Sequence, residues 1–156
     1  MTELRPLRED EFDDWAARSM RDYADNMHEH GGIPVAEAET KSKEDHARLF
    51  PDWRVPEGHF VYVIEDGGAV RGHLWLAERD GVNGGAPHLF VYGILIDEDA
   101  RGRGIGRAAM TLAEGIARER GLGRIELNVF GGNDVARGLY RSLGYDEVAV
   151  YMGKDL

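Results

Sequence analysis

The feature that most constrains this chain is a nearly continuous apolar run, His88 to Asp97 (HLFVYGILID), that passes directly into DEDARGRGIGR and then into an amphipathic stretch. Such a run reads as a central strand covered on both faces. Behind it, Gly104 to Arg120 has helical spacing, with Ile105, Ala108, Ala109, Leu112 and Ile116 predicted on one face. A strand that enters a helix through glycines exposes backbone N–H groups at the positive end of the helix dipole, which suits phosphate. Gly102, Gly104 and Gly106 let the backbone approach a ligand with no Cβ in the way, and Arg101, Arg103 and Arg107 add three cations with no acid among them. A plain tight turn needs one or two glycines, not three in alternation. By composition the segment is a pyrophosphate site.

The rest of the chain supplies a frame for that unit. Thr2 to Leu7 reads as an edge strand ending near Pro6. A helix is predicted from about Glu9, where Phe12, Trp15, Ala16, Tyr23 and Met27 recur at helical spacing until Gly31 and Gly32 stop it. A more polar helix follows over Val35 to Phe50, closed by Pro51. His59 to Glu65 and Val70 to Ala77 read as two strands joined by an Asp66-Gly67-Gly68 turn. After the apolar strand and its helix come a strand over Arg124 to Phe130, a helix over Asp134 to Leu143 and a last strand over Tyr145 to Met152. The expected order is β-α-α-β-β-β-α-β-α-β, an α/β mixed sheet with helices on both faces. No repeat or linker divides the 156 residues, so one domain over 1–156 is expected.

Charge narrows the partners. The net charge of −10 argues against nucleic acid, which needs a basic face. The charge is unevenly placed, however: residues 1–100 carry 10 basic and 22 acidic groups, whereas residues 101–156 carry 9 and 7. The second half favours an anionic ligand, and the first would suit a cationic one. The chain contains no cysteine, which excludes thiolate metal sites and cysteine nucleophiles. The histidines read as surface or loop residues, and their spacing implies no metal. No run approaches the roughly 18 apolar residues of a spanning helix, and the first residues lack a secretory profile, so a cytoplasmic location with no membrane partner is expected.

Gly104-x-Gly106-x-x-Ala109 followed by Glu126 also matches a dinucleotide-binding pattern, but the glycines come after 100 residues with no earlier crossover unit and Glu126 falls inside its strand. A second motif points elsewhere. Arg101-Gly102-Arg103-Gly104-Ile105-Gly106 resembles the R/Q-x-x-G-x-G/A element of the GNAT acetyl-CoA-dependent N-acetyltransferases. Asn133 to Tyr145 (NDVARGLYRSLGY) resembles that family's N-x-x-A-x-x-L-Y-x-x-L-G-F/Y element. The resemblance covers residues from about 58 to 152; the first 57 match only in layout.

The resemblance implies the GNAT fold and direct acetyl transfer from acetyl-CoA to a primary amine, without a covalent enzyme intermediate. In the family the central strand splays from its parallel neighbour, and its backbone pairs with the pantetheine arm; here Ile94, Leu95 and Ile96 are the implied contacts. Arg101, Gly102, Arg103, Gly104, Ile105, Gly106 and Arg107 would hold the pyrophosphate, with Arg103 or Arg107 reaching the ribose phosphate. Asn133 is either a helix N-cap or a cofactor contact, or both. Tyr140 corresponds to the tyrosine that contacts the cofactor and protonates the departing thiolate. Many members carry a carboxylate eight positions before the motif arginine, where this chain has Gly93. The proton acceptor is therefore open among Glu126, Asn128 and a water wire, and a non-catalytic acyl-CoA-binding module is the alternative reading. Trp15, Tyr23 and Trp75 are candidates to line an acceptor pocket or the core, and the apolar first helix would also suit a homodimer.

Overall fold

The structure is a computed structural model and describes residues 1–156, the side chain of Asn83 excepted. Its strands are β1 (Thr2–Pro6), β2 (His59–Asp66), β3 (Ala69–Arg79), β4 (His88–Ile96) and β5 (Ile125–Leu127). Its helices are α1 (Phe12–Gly31), α2 (Val35–Leu49), α3 (Ile105–Glu119) and α4 (Asp134–Ser142). The strands form one sheet in chain order, β1-β2-β3-β4-β5. Every pairing is antiparallel except β4 with β5, the single crossover through α3. One parallel pair at a sheet end is not a dinucleotide-binding frame, which removes that alternative.

Alternation along the strands divides the core. On one face, Ile64, Leu74, Leu76, Leu89 and Val91 pack against Ile105, Ala109, Met110, Ala113 and Ala117 of α3, with Tyr140 of α4 and Leu143 just after it alongside. On the other, Phe12, Trp15 and Ala16 of α1 and Phe50 after α2 pack on Val61 and Trp75. The buried face of α3 is rotated from the expected one: Ala113 and Ala117 are covered and Leu112 is exposed. Three alanines at i, i+4 and i+8 let the helix lie close on the sheet, and the bulkier Leu112 is turned outward.

α1 ends where expected, because Gly32 adopts φ 69° and caps the last turn through its N–H to the Met27 carbonyl. The expected last strand does not form. Tyr145 to Met152 has no strand pairing among the described residues, and Val148, Val150, Tyr151 and Met152 are exposed. Two features account for this: β5 is only three residues long and offers little edge, and Glu147 is held by Arg137 and Arg141 of α4. The ion pairs draw the segment along the helix instead of the sheet.

Candidate active site

The site is built around the middle of β4. Trp75 pairs with Gly93 and Leu76 with Val91, so Tyr92 is an extra residue in β4, a bulge that re-aims the strand. The Tyr92 ring stacks on Trp75 at 4.6 Å and 17° and on His59 at 5.4 Å. On the other edge, β4 pairs with β5 only as far as Val91 with Leu127. Beyond that point Gly93, Ile94, Leu95 and Ile96 have β3 on one side and no strand on the other, the open edge that an extended ligand can use.

That edge leads into the glycine turn. Gly102 and Gly104 have φ of 71° and 81°, a left-handed conformation that side chains disfavour. Gly104 is the N-cap of α3 and offers no capping side chain. The first intrahelical bond runs from the Ala108 N–H to the Gly104 carbonyl, so the N–H groups of Ile105, Gly106 and Arg107 have no acceptor within the helix. Gly106 needs no special φ; a Cβ there would make ordinary contact with Leu139 at 3.6 Å. Arg101 donates through Nε to the Ile96 carbonyl (3.1 Å), and Arg107 donates to Ser142 Oγ, tying the loop to β4 and to α4. Arg103 is exposed. The donors and charges present suit a diphosphate.

Asn133 acts as an N-cap: its Oδ1 accepts the Ala136 N–H at 3.2 Å. Tyr140 is half-buried on α4 against the α3-side core and 5.9 Å from the Tyr145 ring. Burial raises the Tyr140 phenol above its ordinary range, and the charge of Asp22 on α1 adds to the shift.

Across the sheet from α3 lies a cavity of about 30 Å³ lined by Trp15, Arg18, Ser19 and Asp22 of α1, His73 and Trp75 of β3, and Gly93 to Leu95 of β4. That is room for a group the size of a water. A Cβ on Gly93 would meet nothing within 4 Å, so this glycine opens the floor. Residues 15, 18, 19 and 22 share one helix face by spacing alone. Trp15 and Trp75 serve as both core and cavity wall, whereas Tyr23 packs in a separate cluster and donates to Asp45 (3.1 Å). Neither Glu126 nor Asn128 is at this cavity: Glu126 is held by Arg124 (3.1 Å) and His88 (3.6 Å), and Asn128 is exposed beyond β5.

Two of the expected surface histidines are instead buried. His46 and His88 are 2% and 7% exposed. His46 Nδ1 lies 2.9 Å from the Ser42 carbonyl and Nε2 2.9 Å from Ser19 Oγ. A carbonyl only accepts, so Nδ1 carries the proton, and Nε2 of the neutral ring accepts the Ser19 hydroxyl hydrogen. Burial lowers the His46 pKa and keeps the ring neutral. Ser19, Asp22, His46 and His73 were absent from the residues the motifs singled out. The i, i+3 and i+4 spacing of Trp15, Arg18, Ser19 and Asp22 was the available signal.

A model of the acetyltransferase (GNAT) family matches residues 2–145. The uncharacterized N-acetyltransferase YdgE of Bacillus subtilis (strain 168) is 29% identical over 154 residues, covering 98% of this chain and 97% of its own. The crystal structure of YycN from Bacillus subtilis superposes with a TM-score of 0.88 at 26% identity, covering 100% of this chain and 99% of that one. A mycothiol acetyltransferase from Beutenbergia cavernae is 36% identical over 132 residues, but the match spans 43% of that longer protein.

Proposed function

Since the chain belongs to the acetyltransferase (GNAT) family, whose members are acyltransferases that use acetyl-CoA, we propose that it transfers acetyl directly from acetyl-CoA to a primary amine. The observation that carries this reading is the continuity of the open β4 edge with the uncapped, arginine-flanked start of α3. Ile94, Leu95 and Ile96 would offer backbone groups to the pantetheine arm as a neighbouring strand would. Arg101 to Arg107 would hold the pyrophosphate, largely through the free N–H groups of Ile105, Gly106 and Arg107. Asn133, already a cap, would keep the start of α4 in place beside the cofactor.

Tyr140 is the proposed proton donor to the departing thiolate. A phenol raised by burial stays protonated at neutral pH, which a general acid requires before the C–S bond breaks. The amine would enter from the opposite face, through the cavity between α1 and β3. The acidic first hundred residues favour a cationic acceptor.

We take residues 1–156 as one catalytic domain, and a cytoplasmic location fits a chain in which no described helix is long and apolar enough to cross a membrane. Release of free CoA thiol from acetyl-CoA in the presence of primary amines tests the reading.

A further inference from the structure

This inference rests on the acetyl-transfer reading and names the proton acceptor which that reading leaves open. We propose that the cavity beneath Gly93 seats the ammonium group of the acceptor and that Asp22 takes its proton. The cavity has the size of such a group and not of a whole acceptor. Asp22 is the one carboxylate that lines it, and no ion-pair partner engages that carboxylate among the described residues. Arg18, the cation beside it, is committed to Asp97 at 2.7 Å. Ser19, one turn back, has given its hydrogen to His46, so its oxygen turns only lone pairs toward the cavity. A carboxylate and a hydroxyl acceptor on one helix face suit an N–H donor with positive charge.

Gly93 leaves this point of the strand without a side chain, and Asp22 on the helix that covers it is the carboxylate at the cavity. Burial lifts the Asp22 carboxyl to about 6, with Asp25 and Glu29 of the same helix adding to the rise and Arg101 and Arg18 opposing it. Arg18 and His73 are the other titratable groups that line this space, and the Tyr140 phenol on α4 senses the Asp22 charge. A base of that pKa is ionised at neutral pH and still able to accept a proton. His73 is the competing candidate, because its Nδ1 is buried with no partner among the described residues. Burial and the neighbouring Arg18 charge both oppose protonation of that ring, so it cannot readily take a proton from a cation.

Asp22 accepts one proton from R–NH3+, and the freed lone pair forms the N–C bond to the acetyl carbonyl carbon. The C–S bond breaks, the sulfur leaves with the electron pair, and Tyr140 gives it a proton. Tyr140 recovers a proton from the amide nitrogen, directly or through water, and Asp22 releases its own to solvent. Because the two groups sense each other's charge, neutralising Asp22 makes Tyr140 a stronger acid when the thiolate forms.

The test is the pH dependence of kcat/KM with free lysine, spermidine, tyramine and a short peptide with a free N terminus as acceptors. The wild type should show an acid limb with its midpoint near 6. Asp22→Asn should lower kcat/KM about 100-fold at pH 7. It should also lose the limb and regain rate as the pH approaches the pKa of the amine, with the KM for acetyl-CoA within about twofold. His73→Asn should keep the limb. An active wild type whose Asp22→Asn variant keeps both rate and limb, or whose His73→Asn variant loses the limb, overturns this inference alone. A wild type that turns over none of the four acceptors takes down the acetyl-transfer reading as well.

Discussion

Trp75 and Gly93 face each other across β3 and β4, and the missing side chain at Gly93 leaves the otherwise buried Trp75 as one wall of the cavity. The adjacent bulge stacks Tyr92 on the same indole, so one tryptophan fixes both the bend of the strand and the width of the opening. The strand thus has a donor side, where β5 departs, and an acceptor side, where α1 covers the glycine.

Filling that opening should separate the two sides. Gly93→Ala places its one added carbon in free space and should fold with stability within about 1 kcal/mol of the parent, because no neighbour has to move. Steady-state kinetics should then show kcat/KM for the amine reduced at least tenfold, with CoA affinity by calorimetry unchanged.

Gly104→Val should do the reverse. At φ 81° a β-branched residue is strained, at about 1–2 kcal/mol or more, and relief of that strain moves the first turn of α3. CoA affinity should fall at least tenfold while the helical circular dichroism is kept. Gly106→Ala adds a Cβ at ordinary contact distance and should retain the fold. Unchanged CoA binding in Gly104→Val would remove the turn from the phosphate site.

Tyr140→Phe removes one hydroxyl and keeps the ring against the core. The variant should lose about 10²-fold in kcat and leave the Kd for CoA within about twofold. An unchanged kcat would take Tyr140 out of the chemistry.

Asp22 should cost stability where it is ionised. Its folded pKa of about 6 lies above the ordinary 3.8, so between those values the folded chain holds a proton that the unfolded chain has released. Stability therefore falls as pH rises through this window, and the cost persists above it. Asp22→Asn should unfold at higher denaturant at pH 8, by about 1–2 kcal/mol after allowance for partial solvation. The difference should vanish below about pH 3, where both states are protonated. Equal stability at pH 8 would show that the carboxylate is well solvated.

The donor half of this site was legible in the sequence because it is local. The glycines, arginines and helix start of residues 101–107 are contiguous, and the pattern that makes β4 apolar also sets where it ends. The capping role of Asn133 was readable for the same reason. The acceptor half was not, since it joins α1, α2 and β3 across a sheet. Asp22 reads as an ordinary surface acid on an acidic helix, and His46 as a polar residue of a polar helix, until packing half-buries the first at the cavity and buries the second. Tyr145 to Met152 has strand-like alternation, yet a three-residue neighbour and the hold of Arg137 and Arg141 on Glu147 outweigh it. Alternation states which face a strand would present, and a partner edge must still exist.

The most direct measurement is thiol release from acetyl-CoA across a panel of primary amines, with the acceptor weighed by mass spectrometry. CoA should be released in step with a gain of one acetyl group on at least one amine, and none on the matching alcohols. Tight CoA binding with no turnover on any amine would contradict acetyl transfer and leave an acyl-CoA-binding module in its place.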